Sequence, residues 1–318
     1  MTGGRLPGLP RSGFTIVELL IVIVVIGVLA AITVVSYTGI NSQAKLSAIK
    51  TTAEQIGKKL ETWKLQNAEL YPVDLSAART ASGVASLTTY IVSPDRKNYC
   101  ASVTDDALPA ATRSYAYTSK SGGAVVGECV TNLIPNPSFE SNTTGWAASW
   151  GTGGAGSLSR LTNGGVSGSS YARVTWTATP SVAWGGINGP QSFPVADGQS
   201  YYFSVWVRPS ANHPLQPFLR FNGYPTIHDI SSGVVAVGAN AWTRMQVSAS
   251  LSAGATTMQT NVSRNGSGSW QAGDYLDVDA GMLTSGSSRY DYRDGDSPGW
   301  FWNGDPNNSS STGPAVAL

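Results

Sequence analysis

The sequence predicts an α+β part, a long N-terminal helix packed on a small antiparallel sheet, followed by an all-β jelly-roll sandwich. Three observations carry this. An apolar run beginning at Phe14 leads into an amphipathic helical stripe. Both cysteines fall among short strand-like runs just after it. The remainder of the 318 residues repeats short strands divided by Gly, Ser and Asn.

Composition narrows the function classes. Hydrophobic residues make up 41% of the chain, enough to bury a core, whereas charged residues are only 12%, about half the usual globular share. A net charge of +1 argues against a nucleic-acid binder held by a basic face. Two cysteines without a CxxC pair and two histidines leave almost no material for a zinc site. Charge also divides the chain: all lysines lie at or before Lys120, so residues 1–131 carry +3 and residues 132–318 carry −2. Nine of the ten tryptophans follow residue 145.

Residues 1–13 are rich in Gly and Pro, with Arg5 and Arg11. From Phe14 to Val35 the chain could form about 33 Å of helix, enough to cross a bilayer. Arginines before the span and none just after it place the N-terminus in the cytoplasm. A secretory signal is cleaved after its apolar stretch; here the change of character precedes it, at Gly13/Phe14. Glu18 is the odd residue, and its plain reading is an interfacial acid favoured by the helix N-terminus.

Taken together, a small Gly, an aromatic at the next position and Glu five residues after the Gly, ahead of an apolar helix, resemble the class III leader of type IV pilins and pseudopilins. The resemblance covers about residues 8–67. It implies a leader at 1–13, cleavage after Gly13 by a prepilin peptidase, methylation of Phe14, and an assembly helix at 14–67. The mid-helix Pro of many pilins is absent, since nothing from Arg11 to Tyr71 is Pro. It also implies other pilin subunits in a helical filament and the inner-membrane assembly machinery as partners. Within such a bundle Glu18 could neutralise a neighbour's Phe14 amine, an attraction of about 4 kcal/mol at about 4 Å and an effective dielectric near 20. Docking out of register would bury both charges unpaired, so the pair would set register.

Beyond Tyr37, Ile49, Ala53, Ile56, Leu60 and Trp63 form one apolar stripe at helical spacing. Lys45, Lys50, Lys58, Lys59 and Glu61 fall on the other faces and read as a solvated surface. Residues 68–131 hold strand-like runs at 98–103, 114–119 and 124–127. In an exported domain the pair Cys100 and Cys129 reads as a disulfide. The segment is similar to the small head sheet of type IV pilins.

From Asn132, the runs Tyr171–Trp176, Tyr201–Arg208, Phe218–Asn222, Trp242–Ala249, Met258–Val262 and Tyr275–Leu283 predict an antiparallel sandwich. The strings NPSFE, YYFSVWVRPS, WTRMQV and DYLDVDAGML resemble carbohydrate-binding modules of the jelly-roll type over residues 132–286. Alternation puts Phe203, Val205 and Val207 on a core face. Tyr202, Trp206, Arg220, Asn222, Arg244 and Gln246 face outward, as do Gln259 and Asn261. Aromatic faces, amides and guanidinium groups suit sugars, although each could be an ordinary surface residue. Trp184 and Trp270, in Gly-rich stretches, join the outward set as ligand candidates. Related modules hold a calcium ion between first and last strands, which would map to Glu140 with Asp277 or Asp279; otherwise these are surface carboxylates. Asp294 and Asp296 read as a turn.

No catalytic set emerges. Glycoside hydrolysis needs two facing carboxylates, and His213 and His228 lack a G-x-S-x-G elbow. The expected protein is a non-enzymatic pilus subunit requiring no cofactor, with structural calcium allowed, and its partners include glycans but no nucleic acid. It sits in the cytoplasmic membrane as a prepilin and outside the cell in the filament. The bulk of the C-terminal domain favours a minor or tip position. The rivals are a pseudopilin of a secretion or DNA-uptake machine, its C-terminal domain contacting protein, and a membrane-anchored glycan binder that never polymerises. Residues 287–318 read as an aromatic clip with a loose tail.

Overall fold

The computed structural model describes residues 15–148, 156–181, 185–190, 192–222, 228–250, 254–264 and 270–318. Gly13, Phe14 and Trp184 lie outside them. The chain forms two compact units, Met1–Ser47 and Ala48–Leu318.

The first unit is the apolar part of helix α1 (Ile16–Gln66). Its start is a capping box. The Thr15 hydroxyl accepts from the Glu18 amide at 3.2 Å, and Glu18 Oε2 accepts from the Thr15 amide and hydroxyl, each at 2.8 Å. In the single chain Glu18 is therefore engaged with its own helix N-terminus. Ile16–Thr33 is long and apolar enough to cross a membrane, and none of it is buried within the protein. Its one hydroxyl, on Thr33, donates back to the Leu29 carbonyl at 2.7 Å and is satisfied within the helix.

In the second unit the end of α1 lies on a small sheet. Ile49, Ala53, Ile56 and Leu60 of the expected stripe are buried, while Lys50, Lys58 and Lys59 are exposed. Gly57 allows close approach: a Cβ there would fall 2.4 Å from the Tyr117 ring. Helix α2 (Leu75–Ser82), unforeseen in the sequence, is capped by the Asp74 carboxylate and ends at Gly83 in the left-handed region. The sheet is antiparallel in the order β1 (Thr89–Val92), β2 (Tyr99–Thr104), β3 (Ser114–Thr118), β4 (Val125–Val126). Next comes β5 (Glu128–Asn132), whose Cys129 forms a disulfide with Cys100 of β2.

The following domain is a two-sheet sandwich. Its strands are β6 (Ala147–Ala148), β7 (Ser157–Thr162), β8 (Ser170–Thr175), β9 (Gly186–Asn188), β10 (Phe193–Pro194) and β11 (Ser200–Pro209). They continue with β12 (His213–Asn222), β13 (His228–Ser231), β14 (Val235–Val237), β15 (Thr243–Ser250), β16 (Thr257–Arg264) and β17 (Tyr275–Ser285). One sheet runs β15-β11-β17-β8-β7. The other runs β13-β12-β16-β9-β6, with β10 beside β16 and β14 beside β12. Phe203, Val205 and Val207 from the first sheet meet Leu215, Leu219 and Met258 from the second in one apolar core, as strand alternation predicts.

The chain then returns to the head. β18 (Phe301–Trp302) and β19 (Ser311–Ala315) join β5 in a three-stranded sheet ordered β18-β19-β5. This corrects the expected loose tail: Ser311 and Thr312 are fully buried. Thr118 donates to the Gly299 carbonyl at 2.9 Å, and Tyr290 donates to Glu128 Oε1 at 2.6 Å. Asn132 pins the junction. Its Nδ2 donates to the carbonyls of Gly281 (2.9 Å) and Arg293 (3.2 Å), and its Oδ1 accepts from the amides of Ile134 and Leu283. The sandwich is thus inserted between two strands of the head rather than appended to it.

Candidate functional site

The outward face of the β15-β11-β17-β8-β7 sheet collects most residues the sequence nominated, yet much of it is closed. Tyr202, Arg244 and Gln246 do meet: Tyr202 donates to Gln246 Oε1 at 2.8 Å, and Arg244 Nη2 donates to the Tyr202 hydroxyl at 3.3 Å. Arg244 also binds the Tyr290 carbonyl and pairs with Asp291 at 2.9 Å. The returning segment covers this cluster and Tyr202 is 1% exposed. Their role is packing module against head, which corrects their nomination as ligand residues. Trp206 is half-buried, in register with Arg244 and Asp279.

Farther along the same face, Asp277 is fully buried between Arg173 (2.6 Å) and Arg208 (2.9 Å). The Arg208 guanidinium lies 4.5 Å from the Trp242 ring centre, and that of Arg173 lies 3.6 Å from that of Tyr275. Two cations holding Asp277 leave it nothing to offer a metal, so that nomination is corrected. Asp279 Oδ2 instead accepts from the amides of Val166 (2.5 Å) and Ser167 (3.0 Å), and Glu140 Oε1 from those of Ser169 (3.0 Å) and Ser170 (2.8 Å). Among the described residues no three acidic, His or Cys side chains converge. Asp294 is a turn residue, accepting from the Asp296 amide at 3.1 Å and the Tyr292 hydroxyl at 2.7 Å.

Trp270 is likewise corrected. It is buried between Trp176, with ring centres 4.3 Å apart, and His213, stacked at 3.8 Å. Its Gly-rich neighbourhood suggested display, but the ring belongs to the core.

The opposite sheet holds the better candidate. On β12 the residues alternate strictly: Leu215, Leu219 and Phe221 point into the core, while Gln216, Phe218, Arg220 and Asn222 stand half-buried on the outer face. On β16, buried along nearly its whole length, register sets Gln259 and Asn261 opposite Arg220 and Phe218 on the outer face, with core residues Met258 and Val262 to either side. In register, Asn261 lies between Phe218 and Asn188 of β9, and Arg220 between Gln259 and Asp229 of β13.

This row is recessed. Although it faces away from the core, exposures are 2% for Asn261, 7% for Gln259 and 8% for Asn188. Gln216 donates to Ser231 Oγ at 2.6 Å, and Arg220 grips Asp229 through two 2.8 Å bonds. That pairing cancels the charge of the row and raises the Arg220 pKa further above its usual range, the bond to Asp229 being the main cause. Gln259 Nε2 is buried and makes no hydrogen bond within the chain among the described residues. Such a donor asks for an external acceptor, since leaving it unpaired costs about 1–3 kcal/mol. Amides that donate and accept side by side, over a neutral ion pair and next to one aromatic ring, can bind a polyhydroxylated, uncharged ligand.

Sequence reasoning nominated Arg220 and Asn222 here, and read Gln259 and Asn261 as outward without placing them in a site. Asn188, Gln216 and Asp229 were missed. The alternation of HPLQPFLRFN could have supplied Gln216, but β9 and β13 are too short to signal their register.

Residues 10–34 match the prokaryotic N-terminal methylation motif. The chain is 37% identical over 57 residues to the type II secretion system core protein G of Pseudomonas aeruginosa, covering 18% of this chain and 40% of that protein. It is 29% identical over 89 residues to the Vibrio cholerae protein of the same name, covering 28% and 56%. The chain thus spans about half the length of these curated relatives. Among solved structures it is similar to a CBM22 xylan-binding domain from Paenibacillus barcinonensis, at 16% identity and a TM-score of 0.41, covering 51% of this chain and 97% of that one. It is also similar to the CBM22-1–GH10 modules of a Clostridium thermocellum xylanase solved with xylohexaose, at 17% identity and a TM-score of 0.40, covering 50% and 29%. The N-terminus is thus prepilin-type, its methylation motif leading into a helix long and apolar enough to anchor in a membrane. In this chain it is joined to a jelly-roll domain similar to carbohydrate-binding modules.

Proposed function

We propose that this chain is a type IV pilus subunit, in a minor or tip position, whose inserted sandwich binds neutral surface glycan without catalysis. After cleavage at Gly13 the apolar helix packs into the filament, and the charge pair of Glu18 with a neighbour's Phe14 amine sets the register. To form it, the Glu18 carboxylate turns from its bonds to Thr15 to the neighbouring amine. The observation that carries the glycan reading is the recessed amide row of Gln259, Asn261 and Asn188, with its unpaired Gln259 donor. Its neutrality favours uncharged sugars over acidic ones.

The test is binding of the full chain, in detergent, to an array of neutral and acidic polysaccharides. Binding to neutral members is expected. Asn261→Ala and Gln259→Ala should each weaken it about tenfold, the worth of one well-placed hydrogen bond in a buried site. Binding that both variants retain would sink the assignment of the row.

A second reading is a pseudopilin of a secretion machine, favoured by the chain's partial likeness to type II secretion system core protein G. On that reading the sandwich contacts protein, and no glycan on the array is retained.

A further inference from the structure

The resemblance to jelly-roll carbohydrate-binding modules implies a calcium ion where the first segment of the sandwich meets its last strand, and the residues at that place do not fit one. Calcium takes 6–8 oxygen ligands at about 2.3–2.6 Å. The oxygens that could serve are already engaged by donors from the chain itself. Arg160 Nε donates to the Phe139 carbonyl at 2.6 Å, and Nη2 donates to the Glu140 carbonyl at 2.5 Å and to Ser170 Oγ at 2.7 Å. The Glu140 carboxylate faces the amides of Ser169 and Ser170, and Asp279 those of Val166 and Ser167. A calcium ion would have to displace the guanidinium and several amides together.

We propose that Arg160 stands in for the divalent cation, so that the sandwich is held closed by a built-in charge and does not depend on calcium. The fork of a guanidinium suits the task, because it reaches several oxygens at once in a fixed plane. Phe139 is fully buried against Trp146, ring centres 4.9 Å apart, so the segment held by Arg160 is part of the core. Arg160 lies on β7 and Ser170 on β8, hence one side chain ties the entering segment to the β7–β8 hairpin. This inference is independent of the glycan reading.

Thermal unfolding of the full chain in detergent, followed by tryptophan fluorescence in excess calcium and in excess chelator, provides the test. The same unfolding temperature is expected in both, and calorimetric titration with calcium chloride should give no binding heat. Arg160→Gln should lower the unfolding temperature by several degrees and Arg160→Lys by less, since a lysine keeps the charge but loses the fork. A rise in unfolding temperature with calcium in the unaltered protein, or measurable binding heat, would overturn the proposal. So would an Arg160→Gln protein as stable as the original. Should Arg160→Gln fail to fold, Arg160→Lys and the two calcium measurements on the unaltered chain still decide.

Discussion

Pro314 lies directly opposite Cys129 across the β5–β19 ladder, so the returning strand is zipped to the one that carries the disulfide. Both connections to the sandwich therefore leave the head from neighbouring, cross-braced strands. Pulling on the sandwich would act on the two strands at once, and the disulfide ties one of them covalently to β2.

The returning strand should be sensitive to bulk. A Cβ on Gly313 would fall 2.3 Å from the Trp300 ring, whose Nε1 bonds the Pro314 carbonyl at 2.9 Å. Gly313→Val is expected to cost about 1–3 kcal/mol by overpacking. Denaturant unfolding would register the loss, and limited proteolysis should cut more readily between residues 287 and 310.

Removing the disulfide should destabilise the head. Residues 29 apart are joined, worth roughly 3–4 kcal/mol on the chain-entropy model. Cys100→Ala/Cys129→Ala, or the unaltered protein under reductant, should unfold at a clearly lower temperature. Unchanged unfolding under verified reduction would refute this.

Two polar clusters should respond in opposite ways. Tyr202→Phe and Gln246→Ala touch only the covered face, so they should leave glycan binding intact while loosening the junction with Tyr290 and Asp291. Arg220→Ala breaks the ion pair beside Gln259 and leaves Asp229 unbalanced, so binding should fall with modest loss of stability. Affinity electrophoresis on neutral polysaccharide separates the two sets.

These contrasts mark what the residues alone could convey. Alternation placed Phe203, Val205 and Val207 inward and Tyr202, Arg244 and Gln246 outward, because period two is local. It could not reveal that Tyr290 and Asp291, 46 and 47 positions beyond Arg244, fold over that face. Facing out of a sheet is not facing water. Trp270 misled for a similar reason: its neighbours Gly and Ser advertise a loop, but the ring stacks on His213 and Trp176, both distant in sequence. In β19, STGPA carries Gly and Pro that demote it as a strand; its partner strand β5 lies nearly 180 residues upstream. The leader and the helical stripe were legible because each is written within a few turns of chain.

His213 should make the sandwich acid-sensitive. Burial pushes its imidazole below the ordinary value of 6.5, with Asp274 3.5 Å away pulling in the other direction. The unfolded chain therefore takes up the proton first as pH falls. Stability from this group is complete above about pH 6.5 and is lost as the pH drops through the lower folded value. Unfolding temperatures measured across this range should fall on acidification, and less so in His213→Phe, which keeps the stack without titrating.

Mass spectrometry of filaments sheared from cells is the sharpest test of the proposed cleaved pilus subunit with a glycan-binding sandwich inserted in its head. One intact species is expected, beginning at N-methylated Phe14 and containing peptides from both β5 and β19. Sheared filaments without this chain, or a surface protein still beginning at Met1, would contradict it.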